Sequence, residues 1–161
     1  MRSLSNSRIR LAAVAVLGAV MATVGTDPAV AVPLPSVLTV TAKPEKNHVR
    51  VNEQFPVRLR VVNTSGTTQS FQVMNCSWDE HWKSSSKQVT WYGWNCSKNC
   101  PVTETLKPGQ AYEKTLSMVV AAGVPKDKVS FKMGFTPIDS KRTYWSSEVT
   151  VQLVDATRDE H

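Results

Sequence analysis

The chain has 161 residues, of which 41% are apolar and 20% charged, with three cysteines and a formal net charge of +6. The apolar fraction is too high and the charge too modest for a disordered chain, and three cysteines are too few for a small disulfide scaffold. The length predicts one domain or two small ones. Lysines and arginines are scattered singly, so no nucleic-acid partner is predicted.

Residues 1–31 have the pattern of a signal peptide that is cleaved on export. Arg2, Arg8 and Arg10 precede an apolar run of fifteen residues, 11–25, and the segment ends in Ala29-Val30-Ala31. Fifteen helical residues reach only about 22 Å, too short to cross a membrane, so no span is expected after cleavage. The sequence therefore predicts a secreted or periplasmic protein whose net charge falls to +4 once 1–31 is removed.

Apolar and polar residues alternate with a period of two through most of the remaining chain, which is typical of half-buried antiparallel strands. Asn63-Thr64-Ser65-Gly66 and Lys107-Pro108-Gly109-Gln110 have the composition of turns, the second of type II. The pattern predicts an immunoglobulin-like antiparallel β-sandwich of seven to eight strands over 32–155, followed by a flexible tail, 156–161. The strands are expected near 37–43, 48–51, 55–63, 68–75, 88–92, 111–119, 129–136 and 145–154.

Two stretches, PVRLRVVNTSGTTQSFQV and TLKPGQAYEKTLSM, resemble the early strands and mid-domain turn of bacterial exported immunoglobulin-like modules. Their strand and turn plan, in particular 61–65 and 106–109, is similar to that of the bacterial intracellular proteinase inhibitor family. The resemblance covers about residues 37–120 and implies the sandwich fold. It also implies one candidate function, an exported inhibitor of a proteinase or other hydrolase. The chain departs from that family in its export signal and in a Cys/Trp-rich insert.

That insert, 74–100, contains all three cysteines and four of the five tryptophans. An exported protein can keep a disulfide, and a bridge from Cys76 to Cys96 would close a loop of some twenty residues. A bridge from Cys76 to Cys100 is the alternative. With the first pairing, Cys100 stays a free thiol or forms an intermolecular link.

The Cys96 to Cys100 spacing is similar to that of the binuclear copper loop in cytochrome oxidase subunit II. The places of that loop's following His and Met are taken here by Glu104 and Lys107. Copper(I) favours thiolate and thioether ligands, so a copper- or thiol-linked envelope protein is a third hypothesis, although no cofactor is expected. Its candidate ligands are Met74, His81, Cys96 and Cys100.

The same segment offers residues for catalysis, but in a pattern that does not favour it. A cysteine thiolate with His81 and Asp79 would supply a nucleophile, a base and an orienting acid, yet such groups meet through tertiary placement and not through closeness in sequence. Asp79 and Glu80 would point to opposite faces of an extended chain, which does not suit a pair of catalytic acids. We therefore expect no enzyme.

The aromatic residues of the insert are the candidate binding residues. Trp78 and Trp91 are expected to enter the core beside the disulfide, whereas Trp82 and Trp94 are expected to form an accessible patch. The sequence thus predicts a non-enzymatic exported module that holds a protein or cell-envelope polymer through the Cys-stapled loop 77–95. The candidate binding residues are Trp78, Trp82, Trp91, Tyr92 and Trp94.

Overall fold

The computed structural model describes residues 37–94, 96–124 and 127–154, all within the unit Leu34–His161. The predicted signal peptide and tail lie outside the described residues. Within the described ranges there are twelve strands and one 3₁₀ helix, and none of the helical structure is long and apolar enough to cross a membrane. The elements are β1 Leu38–Pro44, β2 His48–Val49, β3 Gln54–Asn63, β4 Gln69–Met74, the 3₁₀ helix Trp78–His81, β5 Trp82–Ser84, β6 Val89–Trp91, β7 Pro101–Leu106, β8 Ala111–Val120, β9 Lys128–Phe131, β10 Met133–Phe135, β11 Tyr144–Trp145 and β12 Val149–Leu153.

The largest sheet is antiparallel, with the strand order β1-β3-β8-β6. Its centre is β3, where Phe55, Val57, Leu59 and Val61 are buried and the residues between them are more exposed. This alternation is the period-two pattern visible in the sequence, and it gives the sheet one apolar face. The all-β prediction is confirmed by the described residues.

Three smaller sheets complete the described fold: β11-β10-β5, β2-β12-β9 and β4-β7. Every pairing in them is antiparallel except that of β2 with β12. The predicted strand 129–136 is two strands, because β9 pairs with β12 whereas β10 pairs with β5 and β11. Lys132 lies between the two strands, and its N–H donates to the Ser85 side-chain Oγ over 2.8 Å instead of to a strand backbone.

The predicted count of seven to eight strands is too low for three reasons. The strand 129–136 is two strands, the predicted strand 145–154 is also two, β11 and β12, and the prediction lacks β5 and β7. Strand β5 has only three residues, too few to show a period. Strand β7 buries only Leu106 fully, so its sequence lacks the alternating apolar residues that identify a half-buried strand. Both become strands through their partners, β10 and β4.

One hydrophobic core joins these sheets. Phe135 of β10 is fully buried, and its ring lies 5.3 Å from that of Phe71, 5.0 Å from Trp82 and 6.1 Å from Tyr112. These rings come from four strands in three different sheets, so the aromatic contacts connect the sheets. Burial, and secondarily the charge of Glu104, raises the pKa of Tyr112.

The turn predicted after β3 is organised by a buried side chain, Asn63. Its amide donates to the carbonyls of Thr67 and Leu106, each over 2.8 Å, and its Oδ1 accepts from the N–H and hydroxyl of Ser65. The second predicted turn meets it: the Gly109 N–H donates to the Asn63 carbonyl, and Gly109 has the positive φ of 79° that a type II turn requires.

Replacing Asn63 by Ala removes all four side-chain hydrogen bonds and leaves the buried Leu106 carbonyl without this donor. We expect the free energy of unfolding to fall by about 3 kcal/mol. Guanidinium unfolding followed by tryptophan fluorescence measures the change. The matched control is Asn47→Ala at an exposed position, which we expect to stay within about 0.5 kcal/mol of wild type. Equal stability of the two variants would contradict the role given to Asn63.

Candidate functional site

The Cys/Trp-rich segment is an insertion between two paired strands. Met74 at the end of β4 lies opposite Pro101 at the start of β7, so the chain leaves and re-enters the fold at one place. Asn75 closes this junction, since its N–H donates to the Cys100 carbonyl over 3.0 Å and its Oδ1 accepts from the Cys100 N–H over 3.2 Å. Between these points the insertion supplies β5 to one sheet and β6 to another.

The predicted Cys76–Cys96 disulfide is confirmed, with its Cα atoms 5.8 Å apart, and Cys100 is a free, exposed cysteine. Asn99 braces the same end of the insertion: its Oδ1 accepts from the N–H groups of Cys76 and Ser77, and its amide donates to the Ser77 hydroxyl. A disulfide of this kind is compatible with an oxidising environment.

An open surface cavity of about 460 Å³ lies at Ser77, the residue that follows Cys76 of the disulfide. Trp91 is half-buried in its wall, whereas the side chain of Trp94 is 68% exposed. The cavity therefore has one aromatic ring held in its wall, Trp91, and one that is accessible to a ligand, Trp94. Its lining residues are Ser77, Asp79, Glu80, Trp91, Gly93 and Trp94.

Asp79 is the unusual residue of this cavity, because it is only 5% exposed although it carries a carboxylate. Its Oδ2 accepts the Trp94 N–H over 2.9 Å. Its Oδ1 is buried and has no hydrogen-bond partner within the described part of the chain. A Cβ atom at Gly93 would lie 3.2 Å from Oδ2, so glycine allows the 93–94 backbone to approach the carboxylate this closely.

His81 is held in the fold and is not presented to a ligand. Its Nε2 accepts the Met74 N–H over 2.8 Å, which requires the neutral ring nitrogen at that position. Burial lowers the pKa of His81, and the charge of Glu80, the Thr136 backbone and the charge of Asp79 oppose that shift. The Nε2 lone pair is therefore already used and is not available to accept a proton as a general base or to bind a metal ion.

Two of the four candidate copper ligands, Cys96 and His81, are engaged in other bonds, and His81 is also the candidate base for a thiol nucleophile. The sulfur of Cys96 is in the disulfide, and the Nε2 of His81 is bonded to the Met74 backbone. Within residues 37–94, 96–124 and 127–154, no group of three or more His, Cys, Asp or Glu side chains is arranged to hold a metal ion.

The candidate binding aromatics divide into three groups. Trp82 is only 2% exposed, so the expectation that it is accessible is wrong: β5 pairs with β10, which turns the Trp82 ring onto Phe135. Trp78 and Trp91 pack partly buried against the core, as expected. Tyr92 and Trp94, at 80% and 68%, are the most exposed large hydrophobic residues of the described chain, but only Trp91 and Trp94 line the cavity.

The acidic half of the cavity was missed as a binding feature. The sequence treats Asp79 and Glu80 as neighbours on an extended chain, whereas they lie in a 3₁₀ helix and both line the cavity. The available signals were the pair of carboxylates and the glycine between two exposed aromatic residues, Tyr92 and Trp94. What could not be foreseen was the fold of the insertion, which brings 79 and 94 into contact.

A second cleft, of about 660 Å³, lies near β2 and the end of β12. Its ionic side chains are of both signs and include Lys46 and Asp127, and Arg50 lies 3.8 Å from Glu53. A lining with charges of both signs does not favour a ligand of either charge, so the cavity at Asp79 is the better candidate site.

A comparison of the chain with protein-family models and with curated proteins finds no match.

The double substitution Cys76→Ser and Cys96→Ser should lower the free energy of unfolding by about 3 kcal/mol, because it frees a loop with a sequence separation of 20. Guanidinium unfolding measures the loss. The control is Cys100→Ser, which removes only the exposed thiol and should change stability by less than about 0.5 kcal/mol. If Cys100→Ser were as destabilising as the double variant, the assigned pairing would be wrong.

The stability of the protein should decline as the pH falls below about 6.5, in part through His81. The unfolded chain binds a proton at the ordinary histidine pKa of 6.5, whereas burial holds the pKa of folded His81 below that value, so protonation favours unfolding. Guanidinium midpoints at pH 7.5 and 5.5 measure this loss. In His81→Gln, which does not titrate and keeps an acceptor for the Met74 N–H, the loss should be smaller; an unchanged loss would contradict the assignment.

Proposed function

We propose that this chain is an exported, non-enzymatic binding module that holds a protein or cell-envelope polymer at the cavity rimmed by Trp94. The observation that carries the proposal is the exposed Trp94 side chain on a backbone fixed by Asp79.

We further propose that the described sheets are the two layers of an immunoglobulin-like sandwich. This is supported by the single core they share and by the contacts of β1 with β10, β11 and β12.

The construction around Trp94 favours binding. An exposed tryptophan has an unfavourable contact with water, and large aromatic residues carry much of the energy of protein interfaces. The Trp94 N–H is held over 2.9 Å by Asp79, and the disulfide anchors the chain two residues later at Cys96. A side chain on a backbone that is already ordered loses less conformational entropy on binding, which increases affinity.

Two observations support a non-enzymatic role. The Nε2 of His81, the histidine of the insertion, accepts a backbone N–H, and the sulfur of Cys96 is in a disulfide. The cavity itself offers a serine hydroxyl and two carboxylates but no imidazole or thiolate. Export is supported by the signal-peptide pattern of 1–31 together with the disulfide.

A hydrolase inhibitor remains the second candidate function, because residues 92–94 form a braced, exposed segment that could enter the cleft of an enzyme. Tyr92 at 80% exposure points out of the fold without lining the cavity, as the leading residue of such a segment would. Titration of proteinases with the purified protein and with Tyr92→Ala tests it. Inhibition that Tyr92→Ala removes would favour the inhibitor over a holding module.

Replacing Trp94 by Ala should weaken capture of the partner at least tenfold, the loss expected when an aromatic anchor worth about 1.4 kcal/mol or more is removed. Tagged protein is incubated with an envelope extract of the source organism, and captured material is quantified by mass spectrometry.

The matched control for that capture is Trp145→Ala. Trp145 is also an exposed tryptophan, at 47%, but it lies in β11 and does not line the cavity. Its ring covers Gly134, so the thermal midpoint of both variants is measured to show that each is folded. Undiminished capture by Trp94→Ala would overturn the proposal.

A further inference from the structure

We propose that the cavity at Asp79 binds a guanidinium group, the arginine side chain of a partner protein, between the Asp79 carboxylate and the tryptophan rings. This inference rests on the proposed function and names the chemistry that the site selects. It is carried by the buried and sparsely hydrogen-bonded carboxylate of Asp79, by the charge of the lining and by its aromatic residues.

The first argument is the buried carboxylate. A buried carboxylate is costly unless hydrogen-bond donors surround it, and native structures rarely leave one of its oxygens without any. Asp79 lines the cavity and is only 5% exposed. Its Oδ1 lacks a hydrogen-bond partner within the described residues. Oδ1 has almost no exposed surface, so a cation in the cavity would compensate the charge of the carboxylate without bonding to that oxygen.

The second argument is the sign of the charge. Asp79 and Glu80 both line the cavity, and none of the six lining residues is a lysine, arginine or histidine. Glu80 is half-exposed, and the nearest basic group paired with it is His81, at 3.8 Å, whose pKa is lowered by burial. The negative charge of the cavity is therefore left for a cationic ligand, although the chain as a whole is basic.

The third argument distinguishes a guanidinium from other cations. A guanidinium is flat, stacks on aromatic faces and offers several donors in a rigid fork, so it can use tryptophan rings and carboxylates at once. The chain uses related contacts elsewhere: Arg142 lies 5.0 Å from the centre of the Tyr144 ring, and the Lys114 ammonium lies 5.4 Å from that of Trp78. The volume of about 460 Å³ is in the range of about 300 to 1,000 Å³ typical of ligand pockets.

Two other occupants fit the lining less well. A neutral sugar would stack on Trp94 but would leave the charges of Asp79 and Glu80 uncompensated. A metal ion would find two carboxylates and no third strong ligand, since the described part of the chain contains no group of three such side chains.

The experiment compares four probes with the folded protein by ¹H–¹⁵N NMR. The probes are the blocked tripeptides Gly-Arg-Gly, Gly-Lys-Gly and Gly-citrulline-Gly, and chitotetraose. Citrulline has the shape of arginine without its charge. We expect the arginine peptide to shift the Trp94 backbone N–H and the indole signals of Trp91 and Trp94. We expect the lysine peptide to bind several-fold more weakly and the citrulline peptide at least tenfold more weakly.

Asp79→Asn should weaken the arginine peptide at least tenfold, and Glu80→Gln several-fold. The amide introduced by Asp79→Asn can still accept the Trp94 N–H, and the spectrum and thermal midpoint show whether the variant is folded. Because Glu80 is half-exposed, Glu80→Gln keeps the test valid if Asp79→Asn fails to fold. The matched control is Glu148→Gln, an exposed carboxylate outside the cavity, which should not change binding.

Equal binding of the citrulline and arginine peptides, or preference for lysine, would overturn the guanidinium site. So would binding of chitotetraose at Trp94 that Asp79→Asn leaves unchanged, but that result would leave the proposed binding function standing. If no probe shifts Trp91 or Trp94, the guanidinium site is overturned, and the capture experiment with Trp94→Ala separately decides the binding function.

Discussion

The pairing of Met74 with Pro101 is the constraint on which the candidate site depends. It obliges the 26 residues between them to leave the β4–β7 pair and return to the same point. The insertion is too long to be a simple turn, and its strands β5 and β6 pair with strands of two other sheets. The Cys76–Cys96 disulfide then fixes the part that remains outside the sheets. The 3₁₀ helix and the segment 92–94 are consequently held against each other.

Within that arrangement Asp79 has two roles that oppose each other energetically. Its Oδ2 stabilises the backbone of Trp94 through a charge-assisted hydrogen bond, whereas its buried Oδ1 gains no such bond from the described chain. Gly93 makes the close approach possible. Local costs of this kind are common at binding sites, where the fold tolerates a charge that a partner compensates. The proposed guanidinium site follows from this imbalance.

The residues of the sheets and the residues of the site differ in how far they could be predicted. The period-two pattern of β3, β8 and β12 is a local property, and the turns at Asn63 and Gly109 have a composition that the backbone requires. Strand β5 could not be predicted in the same way, because three residues show no period and only the pairing with β10 makes them a strand. The surface position predicted for Trp82 is wrong for the same reason, because its burial depends on its pairing with Phe135, 53 residues further along the chain.

The sequence by itself determined that the described chain is all-β and that the unusual chemistry is concentrated in 74–100. These follow from local periodicity and from composition. The structure decided between the two pairings that the sequence left open for Cys76, in favour of Cys96. Only the tertiary structure decided which aromatic residues reach the surface and that two carboxylates share a cavity with Trp91 and Trp94. The physical reason is that a cavity is formed by side chains distant in sequence. Their approach is set by the strand pairing, and by the path of a disulfide-closed loop.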